Sequence, residues 1–468
     1  MSRFCQLGKI FLLAILSLNC LTIAGEPDAK RESDLRMIKS IFDEALLSGE
    51  SYQNLDYLCN NIGNRLSGSE SAARAVEWTR KLMENYKFDR VFLQNVMVPH
   101  WERGDKETAQ IVDKNGNREN LRVLAIGGSE PTPEGGITAQ IVQVHSLDEV
   151  NELGREKISG KIVFFNRAFD QRVIRTGAGY GGAVDQRVKG PSRAAEYGAA
   201  AVVIRSVTSA FDDSPHTGTL IYAENAPRIP AAALGYQSAD RLTNALKSDP
   251  DTKLFLKINS QWLPDAPSHN VVGELRGSEK PAEIILVGGH LDSWDVGQGA
   301  HDDGAGVMHA VHALRTLQKL GYKPRHTLRA VMFMNEENGT RGGRKYAKLA
   351  LKNGEKHIVL IESDAGGYSP RGFGVTAPDS TLRKMRTWLD LYPRGTISYF
   401  AHGGGGADIN HLHKLDGTPT IGFSPDSQRM FDVHHSENDV FTSVNRRELE
   451  LGTASLAALL YLIDQYGL

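Results

Sequence analysis

His290 and Asp292, Asp302 and Asp303, Glu336 and Glu337, Asp364, and His434 and His435 share one kind of setting. The apolar run 284–287 breaks at Gly288 and Gly289 and delivers His290 and Asp292; Asp302 and Asp303 then precede a helix-like segment. LRAVMFMNEEN, HIVLIESDAGG and TPTIGFSPD, which leads to FDVHHS, repeat the design: an apolar run, an abrupt stop, a ligand-type side chain. Imidazoles and acids crowded where strands end are costly unless something positive sits among them. The pattern points to a two-metal hydrolytic site along one edge of a sheet.

Two divalent ions close together need a bridging carboxylate and further ligands for each. Imidazole and carboxylate suit zinc, with a position left open for water. His290, Asp302, Glu337, Asp364 and His435 supply that set. Their three carboxylates leave two Zn2+ with one surplus positive charge, which a bound hydroxide neutralises. Glu336 and Glu337, as neighbours in extended chain, point to opposite sides, so one can hold metal while the other faces the water as general base. Asp292, two residues beyond His290 on the same face, is placed to accept the other ring N–H of that histidine. His309 and His312 read as helix-face residues, and His411 and His413 as structural. No G-x-S-x-G elbow occurs, and Ser293 lacks a strand–turn–helix context, so a Ser-His-Asp hydrolase finds no support.

The elements that must hold these residues alternate. Strands at 284–287, 327–334, 357–361 and 418–423 are interleaved with helices at 305–320 and 341–351, and a core helix spans 454–463. This predicts an α/β fold, a mostly parallel sheet sandwiched by helices, which binds ligands beyond the carboxyl ends of its strands. Before it lie helices at 33–47 and 71–86 and a strand at 91–101. Between about 107 and 264 short strands (LRVLAIGG, AQIVQVH, GKIVFFN, AAVVIRS) alternate with Gly- and Pro-containing turns, with one helix near 192–197. That texture predicts an inserted β-rich domain over 107–264, splitting a catalytic domain into 26–106 and 265–468. GAGYGG at 177–182 fits G-x-G-x-x-G, but it follows no buried strand, and a flexible loop is the expectation.

The 468 residues exceed what one core usually supports. A net charge of −2 gives no footprint for nucleic acid or an anionic membrane surface. Arg3 and Lys9, the apolar stretch 10–18 and the small pair Ala24–Gly25 read as a secretory signal over 1–25, too short in its apolar part to span a bilayer. With Cys5 and Cys20 removed, Cys59 stands alone and no internal disulfide is possible.

With these residues in hand, the chain resembles the co-catalytic zinc exopeptidases typified by glutamate carboxypeptidase and bacterial aminopeptidases. RLSGS (65–69), PHWERG (99–104), SPHTG (214–218), GHLDSWDVGQGA (289–300), DDGAG (302–306), the Glu336–Glu337 pair, ESDAG (362–366), DIN (408–410) and HHS (434–436) carry the resemblance. It implies that His290 and Asp364 hold one zinc, Glu337 and His435 the other, with Asp302 bridging and Glu336 as the base acting on a water between the metals. Relatives ligate through H-[S/T]-x-x-D, which selects His435, completed by Asp439, over His434; Asp302 is preferred to Asp303 because relatives often carry Asn at the second position. It further implies a protease-associated-like insert, a removable pro-segment, a homodimer, no membrane or nucleic-acid partner, and short peptides with free termini as substrates of a secreted or lysosomal dipeptidase or carboxypeptidase. The helix at 33–47 reads either as pro-segment or as the first helix of the mature fold. Asn338-Gly339-Thr340 is a glycosylation pattern beside the expected cleft and is expected to be unused. Two other readings stand beside this one: a single-zinc cyclising or acyl-transfer enzyme, and a non-catalytic peptide-binding module.

Overall fold

A computed structural model describes residues 26–468. The predicted signal segment, 1–25, lies outside the described residues. The first of two eight-stranded sheets runs, in spatial order, Arg90–Glu102, Gln261–Leu275, His326–Phe333, Lys280–His290, Lys356–Glu362, Thr420–Pro425, Pro370–Thr376 and Tyr399–His402. Its four central strands, from His326–Phe333 to Thr420–Pro425, are mutually parallel. The flanks join through antiparallel pairs, because Gln261–Leu275 and Pro370–Thr376 run against their inner neighbours. The parallel centre is therefore where the sequence pattern places it, within a sheet that is mixed overall.

Both faces of that centre are covered, which is why its strands read as continuous apolar runs. Ile285 and Val287 pack with Val307, Val311 and Leu314 of helix Ala305–Lys319, Leu456 and Leu459 of helix Arg446–Tyr466, and Ile38 and Phe42 of helix Glu26–Ser48. Leu286 points the other way, to Val331, Leu360, and Tyr346 and Ala347 of helix Arg341–Lys352. Each such side chain contributes about 1.5–3 kcal/mol by leaving water. Helix Glu26–Ser48 thus belongs to the main core, and Asp34 on it accepts a 2.6 Å hydrogen bond from the Tyr461 hydroxyl.

The second sheet is built wholly from residues within 108–257, in the order Arg118–Leu121, Thr108–Val112, Lys253–Lys257, Ile137–Val144, Ile162–Phe165, Ala201–Arg205, Ala231–Leu234, Val123–Ala125. It is less purely β than its texture suggests. Helices Leu147–Ile158 and Gly190–Glu196 cover one face through Val150, Ile158, Ala194 and Ala195, and helix Tyr236–Ser248 covers the other through Ala239 and Leu242. The segment 177–182, expected as a flexible loop, lies in helix Thr176–Ala183. Its glycines permit this because Gly179 packs on the Phe169 ring, where a Cβ would come within 2.5 Å. Two strands the sequence pattern does not reveal, Pro370–Thr376 and Tyr399–His402, are short, and the first is interrupted by glycine.

At the amino-terminal edge of the parallel centre, His357 is buried with Nε2 2.7 Å from the Tyr346 hydroxyl. Burial, with Arg329 nearby, pushes its pKa down to about 4. The unfolded chain then binds the proton first, so the neutral histidine's contribution is intact above about pH 6.5 and is lost as pH falls to about 4. The wild type is expected to lose about 3 kcal/mol over that interval that a His357→Gln variant does not lose, as read by denaturant titrations at matched pH.

Candidate metal centre

The parallel strands end at one edge, with His290 opposite Phe333 and Gly288 opposite Glu362. Chain just beyond those ends brings the acids and imidazoles together. Asp302 lies at the middle: its Oδ1 is 3.1 Å from His290 Nε2 and its Oδ2 is 3.1 Å from His435 Nε2. Asp364 completes one half, 3.5 Å from His290 Nε2. Glu337 completes the other, 3.1 Å from His435 Nε2. His434 stands 3.4 Å from Asp302 Oδ2, outside the His435–Glu337 contact, with its ring stacked on that of His435.

The donor set fits divalent cations. His290, Asp302 and Asp364 offer ligand atoms within 4.8 Å of one another, and Asp302 does the same with the two neighbouring histidines. Asp302 Oδ2 and Glu337 Oε1 are buried without a hydrogen-bond partner, a cost a coordinated cation removes. Burial pushes the Glu337 carboxyl up to about 7, with the Asp302 charge adding to it.

Local backbone decides which member of each adjacent pair faces the centre. Asp303 turns away, accepting from the backbone N–H groups of His290 at 3.0 Å and Gly306 at 3.1 Å. Gly306 is required there, because a Cβ would lie 1.9 Å from the Ser363 carbonyl oxygen. Asp439 accepts from the N–H groups of His301 and Asp302 at 2.8 and 3.1 Å and so fixes the backbone of Asp302. Glu336 and Glu337 separate through a turn, not by extended alternation: Asn335 has φ +73°, and the N–H groups of 335, 336 and 337 all point to the Asp292 carboxylate at 2.7–3.3 Å.

Asp292 therefore acts differently from the sequence expectation. The His290 Nδ1 partner is the Asp292 backbone carbonyl at 3.0 Å, while the carboxylate lies 3.8 Å away and anchors the loop bearing Glu336 and Glu337. His309 is held by Ser363 and the Leu449 carbonyl, His312 by the Met308 carbonyl, His411 by Thr340 and His413 by the Thr418 carbonyl, all structural as expected. Cys59 is buried, with its thiol pushed up to about 12 by burial, and is no nucleophile.

Residues 270–459 match the family model for peptidase family M28. Carboxypeptidase Q of Bos taurus is 35% identical over 88% of this chain and 85% of its own length, and that of Homo sapiens 34% over the same shares. The crystal structure of a peptidase M28 precursor from Shewanella amazonensis superposes with a TM-score of 0.88 at 33% identity, over 93% of this chain and 97% of that one. The chain belongs to peptidase family M28, on its carboxypeptidase Q branch. An aminopeptidase from Aneurinibacillus, at 20% identity and a TM-score of 0.62 over 91% of this chain and 96% of that one, shares the fold.

This M28 metallopeptidase opens its centre to a cavity of about 910 Å³, lined by Glu336, Asp302, Asp364 and His435 on one side and by Tyr180 and Arg187 on the other. Burial pushes the Glu336 carboxyl well above its usual range against the pull of His290, with repulsion from Asp364 and Glu337 adding to the rise. Asp408 and Arg429 stay out of it: Asp408 is buried against the Gly343 N–H, and Arg429 pairs with Glu448. Asn338 lines the cavity and accepts a 2.9 Å hydrogen bond from Ser67.

The segment 214–218 explains how His435 keeps its place. His435 has φ +61°, a left-handed conformation unusual for a side chain of its size. The Thr217 N–H donates to the His435 carbonyl at 2.9 Å, and His216 Nδ1 meets the His434 carbonyl at 2.6 Å. Both come from the unit carrying the second sheet. Sequence reasoning saw the motif but assigned it no role. His216→Ala is expected to lower metal affinity about 10–100-fold, measured by competitive zinc titration, while His411→Ala leaves it unchanged. Intact-mass analysis of secreted protein is expected to find no glycan on Asn338.

Proposed function

We propose that this metallopeptidase is a di-zinc exopeptidase that hydrolyses dipeptides or short peptides with free termini. The observation that carries the reading is the Asp302 carboxylate, one oxygen turned to the His290–Asp364 pair and the other to the His435–Glu337 pair, the arrangement a bridging ligand requires. His290, Asp364 and Asp302 would hold one ion, and His435, Glu337 and Asp302 the other. Two zinc ions would supply Lewis acidity, lowering the pKa of water and polarising the scissile carbonyl. Glu336 faces the cavity beside this set and is not needed as a ligand. It takes a proton from the attacking water and delivers it to the departing amine. The Asp292 carboxylate holds the Glu336 backbone at the position from which the proton is taken.

The signal-like pattern over 1–25 supports entry to the secretory pathway, and with it a secreted or lysosomal location. Among the described residues no helix is long and apolar enough to cross a membrane. The second-sheet unit, about 107–264, would be a protease-associated-like insert that closes the substrate cavity, and the working form a homodimer. A removable pro-segment would have to end before Ile38, which is buried in the main core.

Glu336→Gln is expected to lower kcat on an unblocked dipeptide by about 100–10,000-fold while two equivalents of zinc remain bound, as read by metal analysis of the same sample. Substantial residual turnover would remove Glu336 from the base role. A single zinc equivalent in fully active wild type would favour the cyclising or acyl-transfer reading instead.

A further inference from the structure

We infer that the groove between helix Arg341–Lys352 and the edge of the first sheet binds a sulfated polysaccharide, a function separate from peptide hydrolysis. The groove has a volume of about 590 Å³ and lies between that helix and the paired strands Arg90–Glu102 and Gln261–Leu275. It adjoins the catalytic cavity, and Arg344 lines both. Arg341, Arg344, Lys345 and Lys348 form one wall, and no carboxylate lines the groove. Their i, i+3, i+4, i+7 spacing sets them on one helix face, and Lys352 carries the row one turn further. The opposite face, with Tyr346, Ala347 and Ala350, is buried.

Little inside the molecule neutralises this row. Arg341 pairs with Asp265 and donates to the Met97 carbonyl at 3.2 Å. Arg344 reaches only backbone oxygens, of Gly339 and Thr340. Among the described residues no carboxylate comes within ion-pair distance of Arg344, Lys345, Lys348 or Lys352, and all four are exposed. The arrangement costs the helix stability. Like charges three and four residues apart repel, and Arg341, Arg344 and Lys345 stand near the positive end of the helix dipole, where the first turn has no acid. The whole chain has a net charge of −2, so the row is a local feature and not the trace of a basic protein. A polyanion laid along it relieves the repulsion.

Shape and lining choose among polyanions. At 1.5 Å per residue the row from Arg341 to Lys352 is about 16 Å long, enough to meet several charges of a linear polymer. A groove takes one extended chain, whereas a bilayer needs a broad face. Val96, Met97 and Pro267 add apolar surface for the C–H faces of sugar rings, and no Phe, Tyr or Trp lines the groove for a nucleobase to stack on. A second copy docked here about a two-fold axis would set the same cations against one another. The proposed secretory route exposes this face to polysaccharides outside cells.

The test measures binding of the secreted protein to immobilised heparin by surface plasmon resonance at about 0.15 M NaCl. It compares wild type with Lys345→Glu/Lys348→Glu and with Lys114→Glu/Lys157→Glu, which makes the same change in net charge at exposed positions of the second-sheet unit. Dipeptide hydrolysis by each protein reports that it is folded. Wild type is expected to bind, the groove variant to bind at least about 30-fold more weakly, and the control variant to stay within about 2-fold of wild type. No binding by wild type, or equal loss in the two variants, overturns the proposal. So does undiminished binding to desulfated heparin, preferential binding to phosphatidylserine vesicles, or a dimer that the groove variant dissociates, because each gives the face to another occupant.

Discussion

The constraint on which this structure depends is a concentration of carboxylate where four parallel strands end. Asp302 between two imidazoles, with Asp364 and Glu337 beside them, brings negative charge into a place largely closed to water. Bare acids there repel one another and leave oxygens unpaired; divalent cations turn the same set into a coordination shell. A second rank of buried acids solves a different problem. Asp292, Asp303 and Asp439 each accept backbone N–H groups of first-rank residues or their neighbours, and Glu362 accepts that of Ile409. Asp292 and Asp439 thereby fasten irregular chain, and Asp303 ties a strand end to the start of a helix. Burial pushes Asp439 and Glu362 up to about 7, which measures how far the fold has removed them from solvent.

The two sheets are coupled through the centre as well as through the chain. Trp294, from the segment following His290, packs into the core of the second sheet with Leu66 and Trp101, and Trp101 donates its indole N–H to the Ser129 carbonyl at 3.0 Å. In return His216 and Thr217 grip the carbonyls of His434 and His435. A movement of the second unit against the first therefore cannot leave His435 untouched. The cavity and the cluster of acids and imidazoles are parts of one mechanical system, in which the cavity's far wall also holds His435 in a left-handed conformation.

Much of the centre was legible because its residues sit directly beyond strands. A parallel strand buried on both faces writes itself as an apolar run, and the first polar residues after it fall at the binding edge by construction. His290 and Asp364 need no more than that, whereas the choice between Glu336 and Glu337 turns on the loop at Asn335. The preference for Asp302 and His435 within their pairs came from family patterns; in the structure Asp303 accepts backbone N–H groups, and His434, though 3.4 Å from Asp302, lies outside the contact that joins His435 to Glu337. What failed was reasoning that assumed regular backbone. Asp292 was expected to support His290 by its side chain and does so by its carbonyl, because the turn at Asn335 draws the carboxylate away. The glycines of 177–182 suggested a loop, but close packing on Phe169 allows a helix there.

The sequence by itself determined the things that depend on near neighbours: the alternation of strand and helix, the apolar faces, and the ligand types at each strand end. Periodicity and chain direction are local, and they suffice to order those residues along one edge. Only the tertiary structure decided which side chain of each adjacent pair faces the centre, since that turns on hydrogen bonds made by other loops. Only it brought Arg187, His216 and Thr217 to the centre from another unit. Contacts between residues so far apart leave no spacing in the chain to read, because they are made by the packing of two sheets and not by the course of either one.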